Sequence, residues 1–333
     1  MPPPAPPPSP DLFRPGYKEP TMINRRTLLA GAAGAAAATT VTTARAQSWK
    51  SAYPELVYAV VPAENASGVT DRYTPFTEYL SKQLGTKVTL RVANDYAAVI
   101  EGQRSGNIHI GYYGPASFSR ALVTGVKTTA FVIDVNSDGS KGYYSVFYVK
   151  ADSPYKTIDD LKGQALGLVD PNSTSGYNMP LYALNKRGIN AEKFFSKVLV
   201  TGSHENAVLA LWQGTVQTCA NWWNAPDDSN LTRMLDKNMI KTADGKPATV
   251  NDFRIILKSD LIINSPTAYL DSLPEDLKGA IRAAFLNAAK NDKAAFDRLS
   301  DGKNRPWQPV DNAAYDDTIK LIQFVDKLRK QNG

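Results

Sequence analysis

Between Ala165 and Gly188 the chain runs through a strand, a tight turn and a helix without interruption, and this unit narrows the folds open to it. The apolar run Ala165–Val169 predicts a buried strand, and Asp170-Pro171-Asn172 predicts a turn. Ser173-Thr174-Ser175-Gly176 then opens a segment with helical spacing at Met179, Leu181, Tyr182 and Leu184, which ends at Gly188. The first N–H groups of a helix lack partners inside it and carry partial positive charge. Hydroxyls placed beside them make an anion site that suits a phosphoryl or phosphonyl group, and Gly176 is expected to keep the approach open. Ser173 alone is also an ordinary helix cap. Three consecutive hydroxyls exceed what a cap needs.

The same strand–turn–helix grammar fills the chain. Strands are expected at Leu56–Val61, Lys87–Val92, Ile108–Ile110, Val126–Val135 and Tyr143–Val149, with helices at Tyr73–Leu84, Ala97–Arg104 and Phe118–Val123. A second block comes next, with strands at Val198–Val200 and Val216–Ala220 and a helix at Asn206–Trp212. Phe253–Leu257 then leads back as a strand, before one long helix within Pro274–Leu299 and a last one within Asn312–Lys330. This is α/β, with mostly parallel sheets flanked by helices and ligands bound in the turns beyond the strand ends. Asp152-Ser153-Pro154 marks a boundary. Residues 47–150 plus 254–333 are expected to form lobe 1, and 151–253 an inserted lobe 2. The hinge crossings are expected near Val149–Ser153 and Asn251–Ile256.

Residues 1–46 read as leader rather than fold. Residues 1–21 are proline-rich. Asn24-Arg25-Arg26, the small apolar run Thr27–Val41 and Ala44-Arg45-Ala46 match the pattern of a twin-arginine signal peptide cleaved after Ala46. The run falls short of the ~20 apolar residues that span a bilayer. The 333 residues carry a net charge of +6, of which the leader supplies half. The remaining excess is spread out and forms no basic stripe, so nucleic acid is not an expected partner. The lone Cys219 rules out an intramolecular disulfide and reads as a small packed residue. Two histidines, His109 and His204, are too few for a histidine-rich metal site; neither a metal nor a cofactor is expected.

No base adjoins Ser173-Thr174-Ser175 in sequence, and neither a G-x-S-x-G elbow nor a Walker A loop is present. Hydroxyls without a base point to holding a ligand rather than cutting it, hence no enzyme. His204, between Ser203 and Glu205 at a helix start, can donate to an oxyanion or be an ordinary exposed cap residue. His109, within an apolar strand, reads as structural. Tyr96, Tyr112, Tyr113 and Tyr143 lie near element ends, where an aromatic ring with a hydroxyl suits a half-apolar pocket or the core. Trp222 and Trp223, with Asn221 and Asn224 in an expected turn over 221–228, either wall a pocket or cover the hinge.

Asp170-Pro-Asn-Ser-Thr-Ser-Gly176, Gly202-Ser-His-Glu-Asn206, Asp95-Tyr96-Ala97, Asp138-Gly-Ser-Lys-Gly-Tyr143 and Tyr113-Gly-Pro-Ala-Ser117 together resemble the periplasmic phosphonate-binding proteins of ABC importers. The resemblance covers nearly the whole chain beyond the leader. It implies a two-lobed type II periplasmic binding protein with the ligand in a cleft between lobes. It implies that Ser173, Thr174, Ser175 and His204 hold the phosphonyl oxygens and that Tyr96 and Tyr143 close the site. Tyr113, Trp223 and Asn224 are further pocket candidates. The implied partners are a phosphonate-class anion (phosphonate, methylphosphonate or phosphite) and an ABC permease in the inner membrane, for a periplasmic monomer. Members that bind 2-aminoethylphosphonate hold its ammonium with two carboxylates. Those positions fall near Asn224 and Ser265 here, which favours a small ligand unless Asp227, Asp228 or Asp260 supplies a charge. An exported phosphate-ester hydrolase and a ligand-sensing binding protein for a receptor are the rival functions.

Overall fold

The structure, a computed structural model, describes residues 48–332, so the leader and its cleavage site lie outside the described residues. Among the described residues thirteen strands form two sheets. Sheet 1 contains β1 (Glu55–Val60), β2 (Lys87–Val92), β3 (Ile110–Tyr112), β4 (Thr128–Asn136), β12 (Pro266–Leu270) and β13 (Asn304–Pro309), in the order β13-β4-β12-β3-β1-β2. Sheet 2 contains β5 (Gly142–Lys150), β6 (Ala165–Leu168), β7 (Lys197–Val200), β8 (Thr218–Ala225) and β10 (Phe253–Lys258), in the order β10-β5-β8-β6-β7. Two short strands join it: β9 (Asp228–Ser229) pairs with β8 and β11 (Ile262–Ile263) with β5.

This is the expected α/β architecture, but each sheet is mixed. β1 pairs in parallel with β2 and β3, and β6 with β7 and β8. The pairs β12–β3, β12–β4, β13–β4, β5–β8 and β10–β5 are antiparallel. Two of the antiparallel strands, β12 and β13, carry Pro266, Pro306 and Pro309, which break up their apolar pattern in the sequence.

The chain leaves sheet 1 after Asn136 and returns to it at Pro266. β5 and β10, expected in lobe 1, therefore belong to sheet 2, where they pair from Phe253↔Lys150 to Lys258↔Val146. The polar break at Asp152-Ser153-Pro154 ends a strand of sheet 2 rather than a lobe. The two crossings run side by side and are tied together. Asn264 Nδ2 donates to Asn136 Oδ1 at 3.0 Å, Asn136 Nδ2 to the Gly142 carbonyl at 2.7 Å, and Asn264 N–H to the Lys141 carbonyl at 2.9 Å.

Alternation across β1 shows why sheet 1 is covered on both faces. Leu56, Tyr58 and Val60 pack into one core, against Phe76 and Leu80 of α1 (Ala66–Leu84) and against Leu277 and Phe285. Ala59 and Val61 face a second core, which runs on into sheet 2 through Ala207, Val208 and Cys219. The expected single helix over Pro274–Leu299 is three helices, Glu275–Leu286, Ala288–Asn291 and Lys293–Arg298. Asp292 interrupts it by capping the third, accepting from Ala295 N–H at 3.0 Å.

Candidate functional site

A cavity of about 150 Å³ lies between the sheets and touches residues of both. Its sheet 2 wall is the hydroxyl turn. Asp170 forms the turn by accepting Asn172 N–H on its side chain and Ser173 N–H on its carbonyl, both at 2.7 Å. Ser173 caps the helical turn Thr174–Asn178, its Oγ accepting Gly176 N–H at 3.1 Å. That turn is π-helical, closed by Asn178 N–H on the Ser173 carbonyl at 3.1 Å. Such wide single turns are common at functional sites. The Asn178 side chain locks the turn, donating to the carbonyls of Pro171 and Ser173 at 2.9 and 2.8 Å. Gly176 serves this turn differently from the expectation. A Cβ there would meet Val169 Cγ2 at 2.3 Å, so the missing side chain makes room for the strand behind and not for a ligand.

Ser173, Thr174 and Ser175 are buried and line the cavity. The Tyr96 hydroxyl lies beside Ser173, and the Tyr143 hydroxyl beside Thr174 and Ser175, all lining the cavity. Burial pushes the Tyr143 phenol up to about 12, so it remains a donor. Thr174 Oγ1 accepts the Ala116 N–H at 2.8 Å, from the start of the helix Pro115–Val123 in the other half of the molecule. Ser145 Oγ holds the Ser175 carbonyl at 2.6 Å from β5.

His204 begins the helix His204–Trp212, capped by Ser203, and is buried against the cavity rather than exposed. Its Nδ1 lies 3.0 Å from Asn221 Oδ1 and its Nε2 3.4 Å from Ser173 Oγ. The Asn221 amide has one orientation: Oδ1 accepts Trp222 N–H at 3.0 Å and Nδ2 donates to the His204 carbonyl at 2.9 Å. The hydrogen-bond network therefore assigns the proton to Nδ1 and leaves Nε2 as an acceptor. Burial lowers the imidazole to about 4, against the opposing Asn221 bond and Glu64 charge, so His204 is neutral. The expected donation to an oxyanion requires it to be protonated first. The structure also brings a base to Ser173 across 31 positions, which adjacency in sequence does not show.

Of the remaining candidates, Asn224 lines the cavity, with Nδ2 donating to Asp228 at 2.8 Å. Tyr113 and Trp223 do not. Tyr113 is fully buried on the opposite side, its hydroxyl donating to Gln103 at 2.8 Å. Trp223 packs against Tyr144 and carries the Lys258 ammonium 4.1 Å over its ring. In both cases the neighbour faces the cavity instead: Tyr112 and Trp222. Successive strand residues point to opposite faces, and 221–225 continues β8 rather than forming the expected turn. Asp227 and Asp260 are exposed and paired with Lys303 and Lys186. His109 is structural, as expected, with Nδ1 accepting Val57 N–H at 3.0 Å.

Apart from Tyr112, the sheet 1 side of the cavity gives little signal in the sequence. It carries Tyr58, Tyr73, Tyr112, Asp134 and Trp307, with Glu64, Arg72 and Arg233 beside them. Glu64 is buried and pairs with Arg72 at 2.7 Å, Arg233 at 3.1 Å and Lys237 at 3.6 Å. Burial alone would raise its carboxyl, but these cations outweigh burial and hold it below the usual range. Arg233 and Lys237 come from the sheet 2 half, as does Glu205, whose carboxylate accepts Asn65 N–H at 2.7 Å. Charged contacts therefore join the two halves along one rim of the cavity. Among the described residues no group of three or more metal-ligating side chains occurs, and no helix is long and apolar enough to cross a membrane.

Comparison with known proteins matches this chain to related sequences and folds. The family model described as "ABC transporter, phosphonate, periplasmic substrate-binding protein" matches residues 58–315. The phosphonates-binding periplasmic protein of Escherichia coli is 33% identical over 285 residues, covering 84% of this chain and 78% of that protein. The phosphate-import protein of Mycolicibacterium smegmatis is 29% identical, covering 87% and 90%. Among solved structures, a binding-protein component of an ABC phosphonate transporter from Pseudomonas aeruginosa aligns with a TM-score of 0.70 at 24% identity, covering 84% of this chain and 89% of that one. A Prochlorococcus marinus protein in complex with methylphosphonate aligns at 0.68 and 20% identity, covering 82% and 99%. Both structures share the fold.

Proposed function

The chain belongs to the periplasmic phosphonate substrate-binding family of ABC transporters, and from that premise we propose that it captures a phosphonate-class anion between its two halves for import. The candidate ligands are phosphonate, methylphosphonate and phosphite. One observation carries the reading: Ser173, Thr174 and Ser175, Tyr96, Tyr143 and His204 converge on one cavity. The hydroxyls are fixed donors, which around an oxyanion give strong, charge-assisted hydrogen bonds with little reorganisation, and His204 joins them once its Nε2 is protonated. The Ala116–Thr174 bond and the Glu64 ion pairs span the two halves and support a closing motion about the crossings tied by Asn136 and Asn264.

In this reading the leader directs twin-arginine export, cleavage occurs after Ala46, and the mature monomer delivers its ligand to a permease in the inner membrane. A thermal-shift series tests the binding claim, since a ligand specific to the folded state raises the melting temperature. Methylphosphonate or phosphite should raise it and sulfate should not. Equal shifts with all of them would contradict the reading.

Ser173, His204 and Asn221 also favour a second reading, a phosphate-ester hydrolase, because a serine, an imidazole and an amide stand in the order of a nucleophile, a base and its orienting group. Turnover of a chromogenic phosphate ester that disappears in Ser173→Ala would establish it. Tight ligand binding without turnover would exclude it.

A further inference from the structure

The sheet 1 end of the cavity contains a carboxylate that the oxyanion site does not use. Asp134 lies on β4 and lines the cavity, into which its remaining accessible surface opens. Its two oxygens accept one hydrogen bond each, from Tyr112 Oη at 2.7 Å and from Trp307 Nε1 at 2.8 Å. No lysine, arginine or histidine among the described residues pairs with it. Arg72 and Arg233 act on it only from a distance, and both are committed to Glu64. Around it stand the rings of Tyr58, Tyr73, Tyr112 and Trp307, all lining the cavity. Tyr73 links the tyrosines into one wall, with ring centroids 6.0 Å from Tyr58 and 6.1 Å from Tyr112.

A residue kept only to satisfy two neutral donors has no need of a charge. An enclosed carboxylate without a counter-ion is costly, and a ligand cation removes that cost. Ionised, it keeps unused acceptor sites beyond the two bonds it already accepts. Aromatic faces add attraction for a cation and provide walls that exclude water. We propose that this aromatic end of the cavity binds a positively charged substituent, a protonated amine, on the phosphonate held at Ser173–Ser175, with Asp134 as its counter-charge. The proposal rests on the phosphonate reading and narrows it. It places the counter-charge on a strand of sheet 1, across the cavity from the hydroxyl turn. Asn224 and Ser265, the positions where the family resemblance puts the carboxylates, are uncharged. Asp228 beside Asn224 does not line this cavity, and its charge already faces Arg233 at 3.9 Å.

Calorimetry at pH 7.5 tests it with methylphosphonate and with amine-bearing phosphonates of one, two and three methylenes, on the wild type and on Asp134→Asn. The wild type should bind at least one amine ligand tenfold or more tighter than methylphosphonate. In Asp134→Asn that ratio should fall to about one. A wild type that binds methylphosphonate as tightly as every amine ligand overturns the subsite while leaving the phosphonate reading intact. So does an Asp134→Asn variant that keeps the preference. A wild type that binds none of the four overturns the phosphonate reading and the subsite together. The wild-type ratio decides the matter even if the variant does not fold.

Discussion

His204 and Asn221 are joined at 3.0 Å through Nδ1 and Oδ1, and this one bond determines what the other imidazole nitrogen can do. With its proton committed to Asn221, neutral His204 presents Nε2 to Ser173 and to the cavity as an acceptor. A ligand oxygen facing Nε2 must bring a proton, or the imidazole must gain one. Calorimetry of methylphosphonate at a pH where it is a dianion, in two buffers of different ionisation enthalpy, should show net proton uptake on binding. In His204→Gln the uptake should vanish. Equal enthalpies in the two buffers for the wild type would refute the tautomer.

The same imidazole couples folding to pH. Burial holds its folded pKa near 4, below the unfolded value near 6.5, so the unfolded chain binds the extra proton between them. The stability it contributes is present above about pH 6.5 and lost as pH falls through about 4, on the order of 3 kcal/mol in all. Denaturant unfolding of the ligand-free protein at pH 7 and pH 4.5 measures this. Wild type should lose more stability on acidification than His204→Gln; equal losses would show that His204 titrates normally.

Removing the hydroxyls at the turn tests whether the oxyanion sits there. Ser173→Ala with Thr174→Ala should weaken phosphonate binding by about 1–3 kcal/mol for each charge-assisted bond lost, roughly a fivefold to 150-fold effect per hydroxyl. Titration of the double variant reads this directly, and wild-type affinity would place the oxyanion elsewhere.

Gly176 should tolerate no side chain, for a reason unrelated to ligand contact. The Cβ of Gly176→Ala would lie 2.3–2.4 Å from Val169 atoms in the buried wall, and overpacking of that kind costs about 1–3 kcal/mol. A lowered denaturation midpoint is expected. Unchanged stability would mean that Val169 moves aside without cost.

Glu64 neutralises Arg72 and Arg233 where water is scarce. Glu64→Gln strands the Arg72 guanidinium and leaves Arg233 only Asp228 and Asp301, each at 3.9 Å, and losing one partner of a buried pair costs about 3–5 kcal/mol. A fall in melting temperature much larger than that of an exposed pair such as Lys186–Asp260 is expected. A shift no larger than that of Lys186→Ala would show that the rim contacts do not hold the halves together.

Much of the fold is legible in local sequence. The strand Ala165–Leu168 with its turn, and the helix starts at Tyr96 and His204, arise from apolar runs, caps and turn residues, all set by near neighbours. The departures share a cause. Local sequence does not separate Trp222 from Trp223 or Tyr112 from Tyr113; Trp222 and Tyr112 face the cavity, because a strand's facing depends on which residues pair across it, as in Tyr144↔Trp223 and Thr267↔Tyr112. β5 and β10 fall in the half opposite to the expected one because their partnership joins segments about a hundred residues apart in the chain, beyond the reach of local pattern. Asp134, inside the apolar strand Thr128–Asn136, gives no local signal, since its meaning comes from Tyr112 and from Trp307, 173 positions away.

The central claim is that this cavity selects a phosphorus oxyanion without acting on it. Calorimetry of the purified protein with methylphosphonate, phosphite, phosphate and sulfate, followed by analysis of the recovered ligands, tests it most directly. Saturable one-to-one binding of methylphosphonate or phosphite, at least a hundredfold tighter than sulfate, with the ligand recovered unchanged, is the predicted result. No binding of either ligand, or affinity for sulfate equal to theirs, would contradict the claim.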